Sequence, residues 1–124
     1  MQQLLDSCPG AQGAAIVDPD GIPVVVTPRE GSLETLGAEL ATILRDLAEA
    51  AREFQHGQLE QCSVFAENAI VVLTTIAAGY FMVLELGRDG IAGRGRFVSR
   101  LARARLYSEF ISGDYFHVQV RRKL

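Results

Sequence analysis

At 124 residues the chain has the length of one domain and is long enough to bury a single core. Apolar residues make up 48% and charged residues 22%, which excludes intrinsic disorder as the default, and no apolar run approaches the roughly 20 residues of a membrane span. The net charge of −3 is unevenly divided: residues 1–87 hold 3 basic and 12 acidic side chains, and residues 88–124 hold 9 basic and 3 acidic. Such a division marks either a partner surface or two complementary halves of one compact fold.

Residues 1–12 carry a weak amphipathic pattern (Leu4, Leu5, Cys8) that stops at Pro9-Gly10, which predicts a short first helix or turn. The apolar runs Ala14–Val17 and Val24–Val26 flank Asp18-Pro19-Asp20-Gly21, where proline presets φ and glycine accepts a left-handed conformation. That is a hairpin signal. Pro23 cannot donate to a ladder, so it belongs at a strand start or on an edge strand. Ser32 is the expected N-cap of a long helix, with Glu34 in its first turn and Gly57 as its stop. At about 100° per residue, Leu33, Leu36, Leu40, Ile43, Leu44, Leu47, Ala51 and Phe54 share one face. Thr35, Glu39, Thr42, Arg45, Asp46, Glu49, Arg52 and Glu53 share the opposite one. Gly37, Ala41 and Ala48 lie on a flank, where small side chains would let a second helix approach closely.

Beyond Gly57 the period shortens to two. Leu59–Ala66, Ala69–Ile76 and Tyr80–Leu86 read as an antiparallel meander, with turns at Glu67-Asn68 and Ala78-Gly79. The continuous apolar runs Ile70–Leu73 and Phe81–Leu84 predict strands covered on both faces, and the less apolar first strand is expected at an edge. A glycine-rich loop (Gly87, Gly90, Gly93, Gly95) leads to a last helix over Arg94–Tyr107. Phe97, Val98, Leu101 and Ala104 are expected to face the sheet, with Arg96, Arg100 and Arg103 on the other side. Phe116, Val118 and Val120 alternate as in an added strand, and Arg121-Arg122-Lys123 closes the chain.

Few of these residues form chemical constellations. Neither His56 nor His117 has a motif partner, and Asp18 and Asp20 are accounted for by turn formation. Cys8 and Cys62 are far apart and match no metal or redox spacing, so reduced thiols and a cytoplasmic location are expected; no cofactor or metal is called for. The loop before the last helix has the setting of a phosphate cradle, but Val98 stands where a dinucleotide fingerprint needs its third glycine, and no Gly-Lys-Ser/Thr follows. Arg96, Arg100 and Arg103 form a stripe of the kind that tracks nucleic-acid phosphates. A pI near 5.3 and the lack of interleaved aromatics argue against that use.

Three segments carry a family resemblance: Ala15-Ile16-Val17-Asp18-Pro19-Asp20-Gly21-Ile22, Gly79-Tyr80-Phe81-Met82-Val83-Leu84, and Gly93-Arg94-Gly95-Arg96-Phe97 with Leu101 and Arg103. In their order and spacing, over about residues 3–107, the chain resembles the Roadblock/dynein light-chain domain family, above all its bacterial MglB-like branch. The short first helix and the segment after Tyr107 depart from the family pattern. The resemblance implies an α+β sandwich: a five-stranded antiparallel sheet with the long helix on one face and the terminal helices on the other. Residues 1–110 would form this domain and 111–124 a C-terminal extension.

The resemblance further implies a non-catalytic homodimer that binds a Ras-like small GTPase as regulator or scaffold. The alternative is a structural adaptor subunit of a larger signalling or motor assembly, without effect on GTP hydrolysis. Family members pair through the strand that opens the meander and through the long helix, here Gln61, Ser63 and Phe65 with Gly37, Ala41 and Ala48. The exposed helix face, Glu39, Thr42, Asp46 and Glu49, would dock the GTPase. Neither nucleic-acid binding nor membrane insertion is expected. An enzyme-class rival would place a ligand or catalytic site at the Gly87–Gly95 loop.

Overall fold

The computed structural model describes residues 2–27, 33 and 36–111. The elements run in the order α1 (Gln2–Asp6), β1 (Ala11–Val17), β2 (Pro23–Thr27), α2 (Gly37–Glu53), β3 (Gln61–Phe65), β4 (Ile70–Thr75), β5 (Phe81–Leu86) and α3 (Ala92–Ile111). The strands form one antiparallel sheet in the order β2-β1-β5-β4-β3, so β2 and β3 are its edges. Pro23 opens an edge strand, where its missing N–H leaves no gap in the ladder. The hairpin turn is set by Asp18: its Oδ1 accepts from the backbone N–H groups of Asp20 and Ile22, while Gly21 sits at φ 85°.

Alternation along the strands sorts the core into two layers. On one face, Ala14, Ile16, Val72, Met82, Leu84 and Leu86 pack under Leu4 and Cys8 of the N-terminal segment and Val98 and Leu106 of α3. On the other, Ala15, Val17, Leu73, Phe81 and Val83 pack under Leu33 and, from α2, Ala41 and Leu44. The result is the expected sandwich, with β4 and β5 covered on both sides.

The helices differ from expectation in where they start and in which face they bury. The described part of α2 begins at Gly37, with Leu36 at the cap position and no side-chain cap; Ser32 and Glu34 lie outside the described residues. It ends before Gly57. The N–H groups of His56 and Gln55 return to the carbonyls of Ala51 and Arg52, and Gln55 takes the left-handed position at φ 59°. More consequentially, Gly37, Ala41 and Leu44 are buried, whereas Leu36, Ile43, Leu47 and Phe54 are 41%, 50%, 39% and 72% exposed. A Cβ on Gly37 would collide with the carbonyl oxygen of Gly21, so the helix lies almost backbone-to-backbone on the β1–β2 turn. That contact rolls the small-residue flank inward and turns much of the large apolar stripe out.

The same inversion occurs in α3, which spans Ala92–Ile111 rather than Arg94–Tyr107. Gly95, Val98, Ser99 and Leu106 face the sheet, while Phe97, Leu101 and Ala104 are exposed. A Cβ on Gly95 would lie 3.1 Å from Leu86 and 3.3 Å from Leu84, so this position too sets how closely the helix approaches. Residues 112–124, including the expected added strand and His117, lie outside the described residues.

Candidate functional site

The helix α2 presents three surfaces. Gly37, Ala41 and Leu44 meet the sheet. About a third of a turn away, Leu36, Ile43, Leu47 and Phe54 form an exposed apolar stripe. Farther round, Glu39, Thr42, Asp46 and Glu49 are all exposed on one stripe, roughly opposite the sheet; the Thr42 hydroxyl donates to the Ala38 carbonyl, which ties it to the helix backbone. On the face of the sheet that α2 covers, Val26, Val71 and Cys62 are only half-buried. The outer edge of β3 has no strand beside it among the described residues, and Val64 and Phe65 there are 44% and 62% exposed. Scattered exposed hydrophobics are ordinary, but a row of large ones along one helix stripe and an open strand edge are each a usual form of protein–protein contact.

The residues named from sequence for pairing divide sharply. Gly37 and Ala41 are occupied within the subunit, and Ala48 is half-buried. The Gln61 amide donates to the Thr74 hydroxyl and to the Arg96 carbonyl, and the Ser63 hydroxyl is buried. Of the six, Phe65 alone is an exposed side chain. From sequence the exposed apolar stripe of α2 reads as core; its signal is the arc that the large side chains make together with Gly37, Ala41 and Ala48, broader than one buried face.

The glycine loop before α3 has a packing explanation. Gly10 and Gly90 meet so closely that a Cβ on Gly10 would lie 2.6 Å from the Gly90 Cα, and the Gly87 N–H donates to the Gly10 carbonyl. Arg94, beside the loop, donates from Nε to the Ser7 carbonyl and stacks over Phe97, which ties α1 to α3. Arg103 is not a solvated partner of Arg96 and Arg100: its Nε donates to the Thr75 carbonyl at 2.6 Å. Burial pushes the Cys8 thiol pKa up, against the lowering effect of Arg94. Burial, then the charges of Asp18 and Asp20, push Tyr80 up. His56 is exposed beside Phe54, and no group of three or more His, Cys, Asp or Glu side chains among the described residues is placed to hold a metal ion.

The family model for the Roadblock/LC7 domain matches residues 1–85. The chain belongs to the Roadblock/LC7 domain family. Solved structures agree on the fold. A Roadblock/LC7 domain from Streptomyces avermitilis superimposes with a TM-score of 0.78 at 20% identity, covering 90% of this chain and 94% of that one. MglB from Myxococcus xanthus gives 0.78 at 14% identity, covering 90% and 91%. MglC from the same organism gives 0.62 at 28% identity, covering 88% and 94%. A comparison with curated proteins finds no match. No described helix of this Roadblock domain is long and apolar enough to cross a membrane.

Proposed function

We propose that this Roadblock-domain chain is a non-catalytic, homodimeric regulator that docks a Ras-like small GTPase. The observation that carries the reading is the three-surface character of α2. Its exposed apolar stripe, together with the open edge of β3, suits a second copy of the chain, and its acidic and polar stripe stays free when the apolar one is covered. Two copies related by a two-fold axis would bring two such polar stripes together as one composite surface. The interface then rests on Leu36, Ile43, Leu47 and Phe54 with the β3 edge and Phe65, rather than on Gly37 and Ala41, which are filled from within. Glu39, Thr42, Asp46 and Glu49 form the docking face.

The test is calorimetric titration of a GTP-loaded Ras-like GTPase into wild type and into a variant carrying alanine at those four positions. All four are exposed, so the variant is expected to keep its fold. The expected result is a loss of affinity of about tenfold or more, since one charge-assisted contact alone is worth roughly 1.5–3 kcal/mol. Equal affinity for both proteins would contradict the docking face. The hydrolysis rate measured in the same samples separates a regulator, which changes it, from an adaptor, which does not.

A further inference from the structure

At one end of the sheet, α2, the β1–β2 turn, the β4–β5 turn and Gln58-Leu59 enclose a cleft of about 360 Å³, within the usual range for small-ligand pockets. Its charged lining is one-signed: Arg45 and Arg52 from α2 and Arg103 from α3 border it, and none of the lining residues is an Asp or Glu. No ion pair joins any of the three to a carboxylate among the described residues. Two of the three are fixed by backbone carbonyls. Arg45 donates from one terminal nitrogen to the Pro19 carbonyl at 3.2 Å, and Arg103 from Nε to the Thr75 carbonyl at 2.6 Å. Each keeps further N–H donors, and a guanidinium held by one bond loses less freedom when it forms the next. Asp18 and Asp20 are close enough to act on Tyr80, yet neither lines the cleft, and Asp18 is engaged by its own turn; Glu49, about one helical turn from both Arg45 and Arg52, does not line it either.

Three guanidiniums at one small cavity repel one another unless an anion sits among them. The rest of the lining is mixed: Leu44, Leu59 and Phe81 are among its apolar side chains, and Gln58, Thr75 and Tyr80 among its polar ones. We propose that this cleft binds a small soluble organic phosphate, its phosphoryl oxygens held by Arg45, Arg52 and Arg103 and its organic part set against the mixed lining that includes Leu59, Gln58 and Tyr80. Planar forks suit tetrahedral oxyanions because each offers two parallel N–H groups. By helical spacing, Arg45 and Arg52 lie on the flank of α2 away from Ile43 and Leu47, so a copy of the chain on the apolar stripe leaves the cleft open. The proposal therefore stands or falls independently of the GTPase reading.

The experiment is NMR titration of the whole chain at low salt with AMP, using adenosine as the uncharged control. The expected result is a saturable response to AMP at millimolar concentration, centred on the cleft and weakened by added salt. Adenosine should bind at least about tenfold more weakly, and Arg45→Ala with Arg52→Ala should cost AMP a similar factor. Both arginines are exposed, so the double variant is expected to fold, which a thermal melt verifies. Arg100→Ala removes an exposed arginine outside the cleft and should change nothing. No saturable response to AMP, or AMP affinity retained in the double variant, would overturn the proposal.

Discussion

At the scale of single residues, Gly37 shows why propensity does not decide this fold. Alanine there would gain about 1 kcal/mol of helix propensity over glycine. It would also drive a methyl group into the Gly21 carbonyl, with the Pro23 ring behind it. Overpacking against backbone costs about 1–3 kcal/mol, so the collision wins. Gly37→Ala is expected to lower the unfolding free energy by about 1 kcal/mol or more in urea denaturation. A gain in stability would mean that α2 does not lie against the β1–β2 turn as described. The positive φ at Ala78 and Gly79, by contrast, belongs to a two-residue turn whose geometry follows the twist of β4 and β5.

At the scale of elements, α2 carries two apolar faces, and substitutions should tell them apart. Leu44 is 6% exposed and packs on Leu73, Phe81 and Val83, so Leu44→Ala is expected to cost about 2–5 kcal/mol. Leu47, one turn round and 39% exposed, should cost less than about 1 kcal/mol when replaced by alanine. Urea denaturation of both variants at low protein concentration, where self-association is weak, checks the pair. Equal losses would contradict the orientation given to α2. The strands, the hairpin turn and the edge positions of β2 and β3 were legible in the sequence, because alternation, Asp18–Gly21 and Pro23 act locally. The facing of α2 and α3 was not. Both helices contain a small-residue stripe and a large apolar stripe at helical spacing, and periodicity favours the larger side chains. The contacts that chose the faces holding Gly37 and Gly95, Gly37 on Gly21 and Gly95 on Leu86 and Val72, join different elements and carry no mark in the helix's own periodicity.

At the scale of the whole molecule, the two helices on opposite faces of one sheet leave large apolar side chains outward on α2, on β3 and on α3. A domain of this size buries too small a fraction of its surface to leave such rows uncovered without cost. The proposed self-association through α2 and the β3 edge would cover those on α2 and β3 while leaving Glu39, Thr42, Asp46 and Glu49 in solvent. Nothing in the spacing of Arg45, Arg52 and Arg103 announced a shared cleft, since α3 reaches it only around the end of β4. The i, i+7 repeat of Arg45 and Arg52 was the one local sign.

The most direct test is the mass in solution by light scattering, for wild type and for Leu47→Asp. The wild type is expected at about 27 kDa, twice the 13.5 kDa of one chain. The variant, which places a charge on a surface already exposed in the subunit, is expected to stay folded at the mass of one chain. A wild type that remains a single chain at every concentration, or a variant that keeps the doubled mass, would contradict pairing through this face of α2.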